Sequence, residues 1–185
     1  MMDRKNFYVI EGLDGVGKTT LIKNLEKNGF TTYKTPPKLY ETIRGELHGL
    51  REASLFYYLS SLAYTLEVEA ENSRDFFLDR YIFSTITQYV SNTTRSIKEF
   101  NRLFERLSSL IEFPAITFFI DLDYKRRIER IKGRTVEEKA LDNESKSYND
   151  FWIQAIREYN FSRKVILDGT KTEDELLVEV LSYLE

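Results

Sequence analysis

Between Gly12 and Thr19 the chain reads GLDGVGKT, two glycines five positions apart followed by a lysine and a hydroxyl residue. Every fixed position of the pattern G-x-x-x-x-G-K-[ST] is filled. Glycine's tolerance of positive φ lets such a loop curl until successive N–H groups point at one anion. A helix opening at Lys18 would set the positive end of its dipole against that same anion. Gly12, Leu13, Asp14, Gly15, Val16, Gly17, Lys18, Thr19 and Thr20 are therefore expected to wrap the phosphates of a nucleoside triphosphate. Lys18 would reach the outer phosphates, and the Thr19 hydroxyl would ligate Mg²⁺.

Two further groups of residues could complete phosphoryl transfer. In FFLDRY, residues 76 to 81, Asp79 falls at the carboxyl end of a buried strand, where parallel sheets open their ligand crevice. Its carboxylate can hold a water of the Mg²⁺ shell, and Arg80 beside it can clamp a phosphate with two parallel bonds. An Asp-Arg pair also serves elsewhere as a surface ion pair or a helix cap. The second group is the basic run Lys125, Arg126, Arg127, Arg130, Lys132 and Arg134. Ile128 and Ile131 should mark its buried side, and most of the charges should be solvated. Arg130 and Arg134, next to Gly133 and a polar stretch, are the ones placed to neutralise a migrating phosphoryl group.

The elements that must position these residues follow from the hydrophobic pattern. Apolar runs at 7–10, 30–34, 76–79, 115–122 and 164–168 read as buried strands, with helical periodicity between them. A helix is expected from Lys18 to Asn28, a long one over 53–72, and others over 81–90, 96–110, 123–133 and 147–160. A last one opens at Thr172. Ser96-Ile97-Lys98-Glu99 and Thr172-Glu173-Asp174-Glu175 both have the form of a capping box. Strands alternating with helices predict an α/β fold with a parallel sheet covered on both faces. No linker or repeat divides residues 1–185, so a single domain is expected.

Composition excludes several classes of function. At 42% apolar and 31% charged residues, with three prolines, the chain is globular rather than disordered. The absence of cysteine removes disulfides, thiolate metal sites and a cysteine nucleophile. A net charge of −3 argues against nucleic acid as a partner. The apolar run near the N-terminus is too short for a signal peptide or a membrane span, which points to a soluble, cytoplasmic protein with no membrane partner. His48, the one histidine, reads as a surface residue. Tyr57, Tyr58 and Tyr64 are expected to pack in the core rather than stack on a base.

Together these segments resemble the thymidylate kinases. EGLDGVGKTT looks like that family's phosphate loop, including Glu11 and Asp14, and FFLDRYIFSTITQY is similar to its Asp-Arg-Tyr segment, with Ser84 at the matching place. ITFFIDLDYKRRIERIKGRT resembles its strand, turn and lid helix, and residues 151–181 fit its closing helix, strand and helix. The resemblance implies a three-layer P-loop kinase fold with five parallel strands and a short arginine-containing lid near 133–146. It implies ATP as donor, Mg²⁺ as cofactor and a nucleoside monophosphate, dTMP by default, as acceptor. It also implies that Lys18, Asp79, Arg80, Arg130 and Arg134 serve catalysis, with Thr19 and Asp79 at the metal. Arg130, Asp168 and Gly169 would lie along ATP, and Asp14, Arg44, Arg80, Tyr81, Ser84 and Gln88 along the acceptor. Family members often form homodimers, although no interface is legible here.

The chain departs from the family pattern on the acceptor side. Lys34-Thr35-Pro36 stands where Arg-Glu-Pro is usual, a customary helix arginine falls near Ser60, and an aromatic-Gln pair is reversed as Gln88-Tyr89. A deoxynucleoside kinase, or a P-loop kinase with another acceptor, stays open on this reading. So does a regulatory NTPase, against which the arginine-rich lid speaks.

Overall fold

A computed structural model of the chain describes residues 6–184, apart from His48 and 134–144. Arg134 and most of the expected lid therefore lie outside the described residues. All five expected strands form: β1 (Phe7–Glu11), β2 (Thr32–Lys34), β3 (Phe76–Asp79), β4 (Ile116–Asp121) and β5 (Arg163–Asp168). They pair in parallel, in the order β2-β3-β1-β4-β5. The central three strands are apolar on both faces because helices cover both faces. Those helices are α1 (Lys18–Lys27), α2 (Glu41–Leu47), α3 (Arg51–Tyr64), α4 (Ile82–Ser91), α5 (Ile97–Leu107), α6 (Tyr124–Lys132), α7 (Lys146–Glu158) and α8 (Glu173–Leu181).

Three local expectations are corrected. The helix read over 53–72 is α-helical only to Tyr64 and widens into a π turn over Thr65–Glu69. The Thr65 hydroxyl donates back to the Ser61 carbonyl at 2.9 Å, and the Thr65 carbonyl accepts from Ala70 N–H at 2.8 Å, which carries the wider turn. Ser96 precedes α5 without a side-chain capping bond, and the reciprocal bond is absent too, since Glu99 is held by Arg102 at 2.7 Å and the Ser96 N–H donates to the Thr94 hydroxyl at 3.4 Å. The box at Thr172 and Glu175 does form, in both directions. In α6 the buried partner of Ile131 is Arg127, while Ile128 is only half-buried.

The Phe83 ring locks α4 to the elements around it. It lies 4.8 Å from both Phe119 and Trp152, and 5.5 Å from Phe100 and Tyr159, all edge-on. Phe83→Ala should cost about 3–5 kcal/mol of unfolding free energy. A urea titration measures this; a loss below about 1 kcal/mol would mean that the ring is not a keystone of the core.

Candidate active site

The sheet order places the chemistry. β1 is flanked by β3 on one side and β4 on the other, so the connections diverge at its carboxyl end and leave a crevice there. Ile10 on β1 is in register with Asp79 on β3, and Asp121 on β4 with Asp168 on β5. The ends of β1, β3 and β5 therefore deliver the 12–19 loop, the Asp79-Arg80 pair and the 168–170 turn to one rim.

Helix α1 starts at Lys18, preceded by Gly17 at φ 110°, a backbone state that side chains resist. No side chain caps this helix, so its first-turn N–H groups stay available to an anion. The buried Lys18 ammonium donates to the Leu13 carbonyl at 2.9 Å. Burial, and then the nearby Arg80 charge, push its pKa down from 10.5 to about 8, against the pull of Asp14, Asp79 and Glu11. Arg130 closes one side of the loop, its Nη1 donating to the Val16 carbonyl and its Nη2 to the Gly169 carbonyl, each at 3.2 Å. The Asp168 carboxylate accepts from the Thr170 hydroxyl and N–H, bonds that hold its carboxyl below the usual range.

Arg80 occupies the left-handed region at φ 72°, a strain that persists only where neighbours over-determine it. Its N–H donates to the Ile10 carbonyl at 3.0 Å. The Thr35 hydroxyl reaches both the Asp79 and Arg80 carbonyls, at 3.0 and 2.9 Å. Glu11, fully buried, accepts from the N–H groups of Tyr81 and Ser84 at 2.9 and 3.2 Å, and from the Ser84 hydroxyl. Burial raises the Glu11 pKa, and these bonds and Arg80 partly offset it. Held on three sides, the Arg80 guanidinium donates to the Asp14 carboxylate and, at 3.3 Å, to the Ser84 hydroxyl. Burial opposes its charge, but Asp14, Asp79 and Glu11 outweigh that and raise its pKa.

Two cavities flank this arrangement and share Lys18 and Thr19 as walls. One runs from the 15–20 loop past Arg130 to Gly169. The other runs past Asp14, Asp79 and Arg80 to Arg44 and Gln88. Of the acceptor-side residues expected from sequence, Asp14, Arg44, Arg80, Tyr81, Ser84 and Gln88 all border this second cavity. Tyr81 does so without its hydroxyl, which donates to the Glu112 carbonyl at 2.8 Å while the ring packs on Phe7. Ser60 is exposed, and Ser61 is the wall residue one position on. Tyr57 is core, as expected, but Tyr58 lines the cavity.

Sequence reasoning missed Thr35, Tyr148 and Arg127. Tyr148 walls the acceptor cavity; burial raises its pKa, partly offset by a bond to Thr87 and by Arg80. Nothing in its sequence context marked it. Arg127 was legible in principle, since it lies four positions before Ile131 and so shares its buried face.

The family model described as thymidylate kinase matches residues 10–180. A probable thymidylate kinase of Methanocaldococcus jannaschii is 31% identical, covering 97% of this chain and 95% of that protein. The thymidylate kinase of Mycoplasmopsis pulmonis is 26% identical, covering 97% and 87% respectively. Among solved structures, a deoxyadenosine kinase from M. mycoides with dCMP and a flexible dCDP bound superposes with TM-score 0.72 at 18% identity, covering 96% of this chain and 98% of that one. Thymidylate kinase from Candida albicans superposes with TM-score 0.69 at 21% identity, covering 98% and 91%. The structural likenesses show the P-loop kinase fold, and the family match over almost the whole chain goes further. With the phosphate loop and the Asp79-Arg80 turn facing each other across one crevice, the chain belongs to the thymidylate kinase family, phosphotransferases that act on nucleoside monophosphates.

Proposed function

We propose that the whole chain is one kinase domain that moves the γ-phosphoryl group of ATP onto dTMP, in the cytoplasm. The observation that carries this reading is that the two cavities meet at Lys18 and Thr19. A donor phosphate in the loop and an acceptor phosphate beside Arg80 would then face one another across the ammonium. Arg130 and Gly169 would lie along ATP, with Asp168 shaping their turn. Arg44 and Arg80 would take the acceptor phosphate, Asp14 the sugar, and Ser84 and Gln88 the remaining polar edge. The buried Arg44 Nε, which has no hydrogen-bond partner among the described residues, supports an anionic ligand there. A bare hydroxyl acceptor would need a general base. The two carboxylates bordering the cavity do not supply one freely: Asp14 is paired with Arg80, and Asp79 faces Lys18 and Arg80. A monophosphate oxygen is already anionic and needs positioning more than deprotonation.

Mg²⁺ fits the residues present. Asp79 Oδ1 is buried without a hydrogen-bond partner among the described residues, and Asp79 lines the same cavity as Thr19. No group of three His, Asp or Glu side chains among the described residues could hold a metal alone, so Thr19 and Asp79 would hold the ion together with phosphate oxygens. Bound there, the ion would neutralise charge on the donor phosphates. No helix among the described residues is long and apolar enough to cross a membrane.

The test is transfer of label from γ-labelled ATP to a panel of nucleosides and nucleoside monophosphates. dTMP should be the preferred acceptor and thymidine inert. Labelling of nucleosides alone would overturn the reading, as would ATP hydrolysis indifferent to every acceptor.

The Lys18 ammonium supplies a second test. In the ligand-free protein it loses its proton around pH 8, whereas an adjacent polyphosphate would restore it towards 10.5. Between those values ATP binding must take up protons, approaching one per site at about pH 9 and fading towards neutrality. Calorimetry in buffers of different ionisation enthalpy measures this uptake. Binding heats that do not depend on the buffer at the alkaline end would contradict it.

A further inference from the structure

A loop that turns its N–H groups inward must turn its carbonyls outward, and those carbonyls need donors. In the 12–19 loop the donors can be traced. The Leu13 carbonyl accepts from Lys18 Nζ and Val16 N–H, and the Val16 carbonyl from Arg130. The Asp14 carbonyl accepts from Arg127 Nη1 at 3.2 Å. Arg127 is fully buried, an uncommon place for a guanidinium, and its charge lies 5.6 Å from the centre of the Tyr124 ring. Its backbone and stem also press on the loop. A Cβ at Gly15 would come within 2.9 Å of the Arg127 carbonyl and 3.3 Å of its Cγ, and Gly15 sits at φ 88°.

We propose that Arg127 is a positioning residue for the phosphate loop, one that orients the Asp14–Gly15 peptide for the donor nucleotide. A trans peptide points its C=O and N–H in opposite directions. Drawing the Asp14 carbonyl towards α6 therefore turns the Gly15 N–H away from α6, into the cradle that lines the donor cavity. The same grip fixes the backbone of Asp14, whose carboxylate pairs with Arg80. Arg130, three residues on, does the equivalent for the Val16–Gly17 peptide from the cavity rim. Helix α6 thus backs the loop with two guanidinium groups, one buried and one at the rim. The inference rests on the reading that a polyphosphate occupies the 12–19 loop.

The experiment compares Arg127→Gln and Arg127→Lys with the wild type, using ATP and dTMP. Losing the charged donor to the part-buried Asp14 carbonyl should raise the KM for ATP about tenfold or more, against about twofold for dTMP. Arg127→Lys, which keeps the charge and one donor direction, should recover most of the affinity for ATP. A folded Gln variant with the wild-type KM for ATP would overturn the proposal. So would equal losses for both substrates with no rescue by lysine, the pattern expected of a purely structural brace. The wild type gives a reading that does not depend on either variant folding. The Gly15 amide resonance should shift strongly, and its hydrogen exchange slow, when an unreactive ATP analogue is added. A Gly15 amide indifferent to an analogue that does bind would also overturn it. A wild type that binds no ATP would refute the loop reading itself.

Discussion

Lys18→Met is expected to lower kcat by about 10²–10³-fold, the usual cost of removing one preorganised donor from a developing anionic transition state. Methionine keeps the length of the side chain and removes the charge from the wall that both cavities share. Because the loss falls on an interaction with the migrating phosphoryl group, the KM for the acceptor should change little by comparison. The ligand-free protein should meanwhile not become less stable. The folded-state pKa of Lys18 lies below its unfolded value, so at neutral pH keeping the ammonium charged opposes folding, and the opposition is relieved as pH rises from about 8 towards 10.5. Removing the amine removes that opposition. Thermal melts without nucleotide, run beside the kinetic assays, check both halves. A variant with near-native kcat would show that Lys18 does not act on the transferred group.

Arg80→Ala should damage acceptor binding and turnover together. The guanidinium lies among Asp14, Asp79 and Glu11, and its loss leaves those carboxylates facing a phosphate with Lys18 as their main counter-charge. Uncompensated charge of this kind typically costs about 3–5 kcal/mol, so kcat/KM for dTMP should fall by at least about 10²-fold. The KM for ATP should move much less. Arg80→Lys should rescue poorly, since an ammonium cannot span the Asp14 carboxylate, the Ser84 hydroxyl and a phosphate as the planar fork does. Steady-state kinetics with each substrate varied in turn decides the matter. Unchanged acceptor constants in Arg80→Ala would remove Arg80 from the acceptor phosphate.

The sheet and the phosphate loop were readable from the sequence because each rests on a short-range pattern. An apolar run followed by G-x-x-x-x-G-K-T specifies strand, turn and helix without help from the rest of the chain. The Asp79-Arg80 pair was readable for the same reason, as polar residues at the end of an apolar strand. What surrounds Arg80 was not. Thr35 is separated from it by forty-five positions and Glu11 by sixty-nine, so the clamp on its left-handed backbone exists only once β2, β3 and β1 lie side by side. Tyr148 joins the acceptor cavity through the packing of α7 on α4, which no local periodicity announces. The failed cap at Ser96 shows the opposite error. A local motif matched, but Glu99 found a better partner in Arg102.

The central claim is that two phosphate-bearing ligands are brought face to face across Lys18 and Thr19. The most direct measurement is the affinity of a single molecule in which adenosine and thymidine are joined through a chain of about five phosphates, read by calorimetry against ADP and dTMP alone. Occupying both cavities at once, it should bind at least about a hundredfold tighter than either nucleotide, and Arg80→Ala should abolish that gain. An affinity no greater than that of ADP would mean that the two cavities do not form one reaction site.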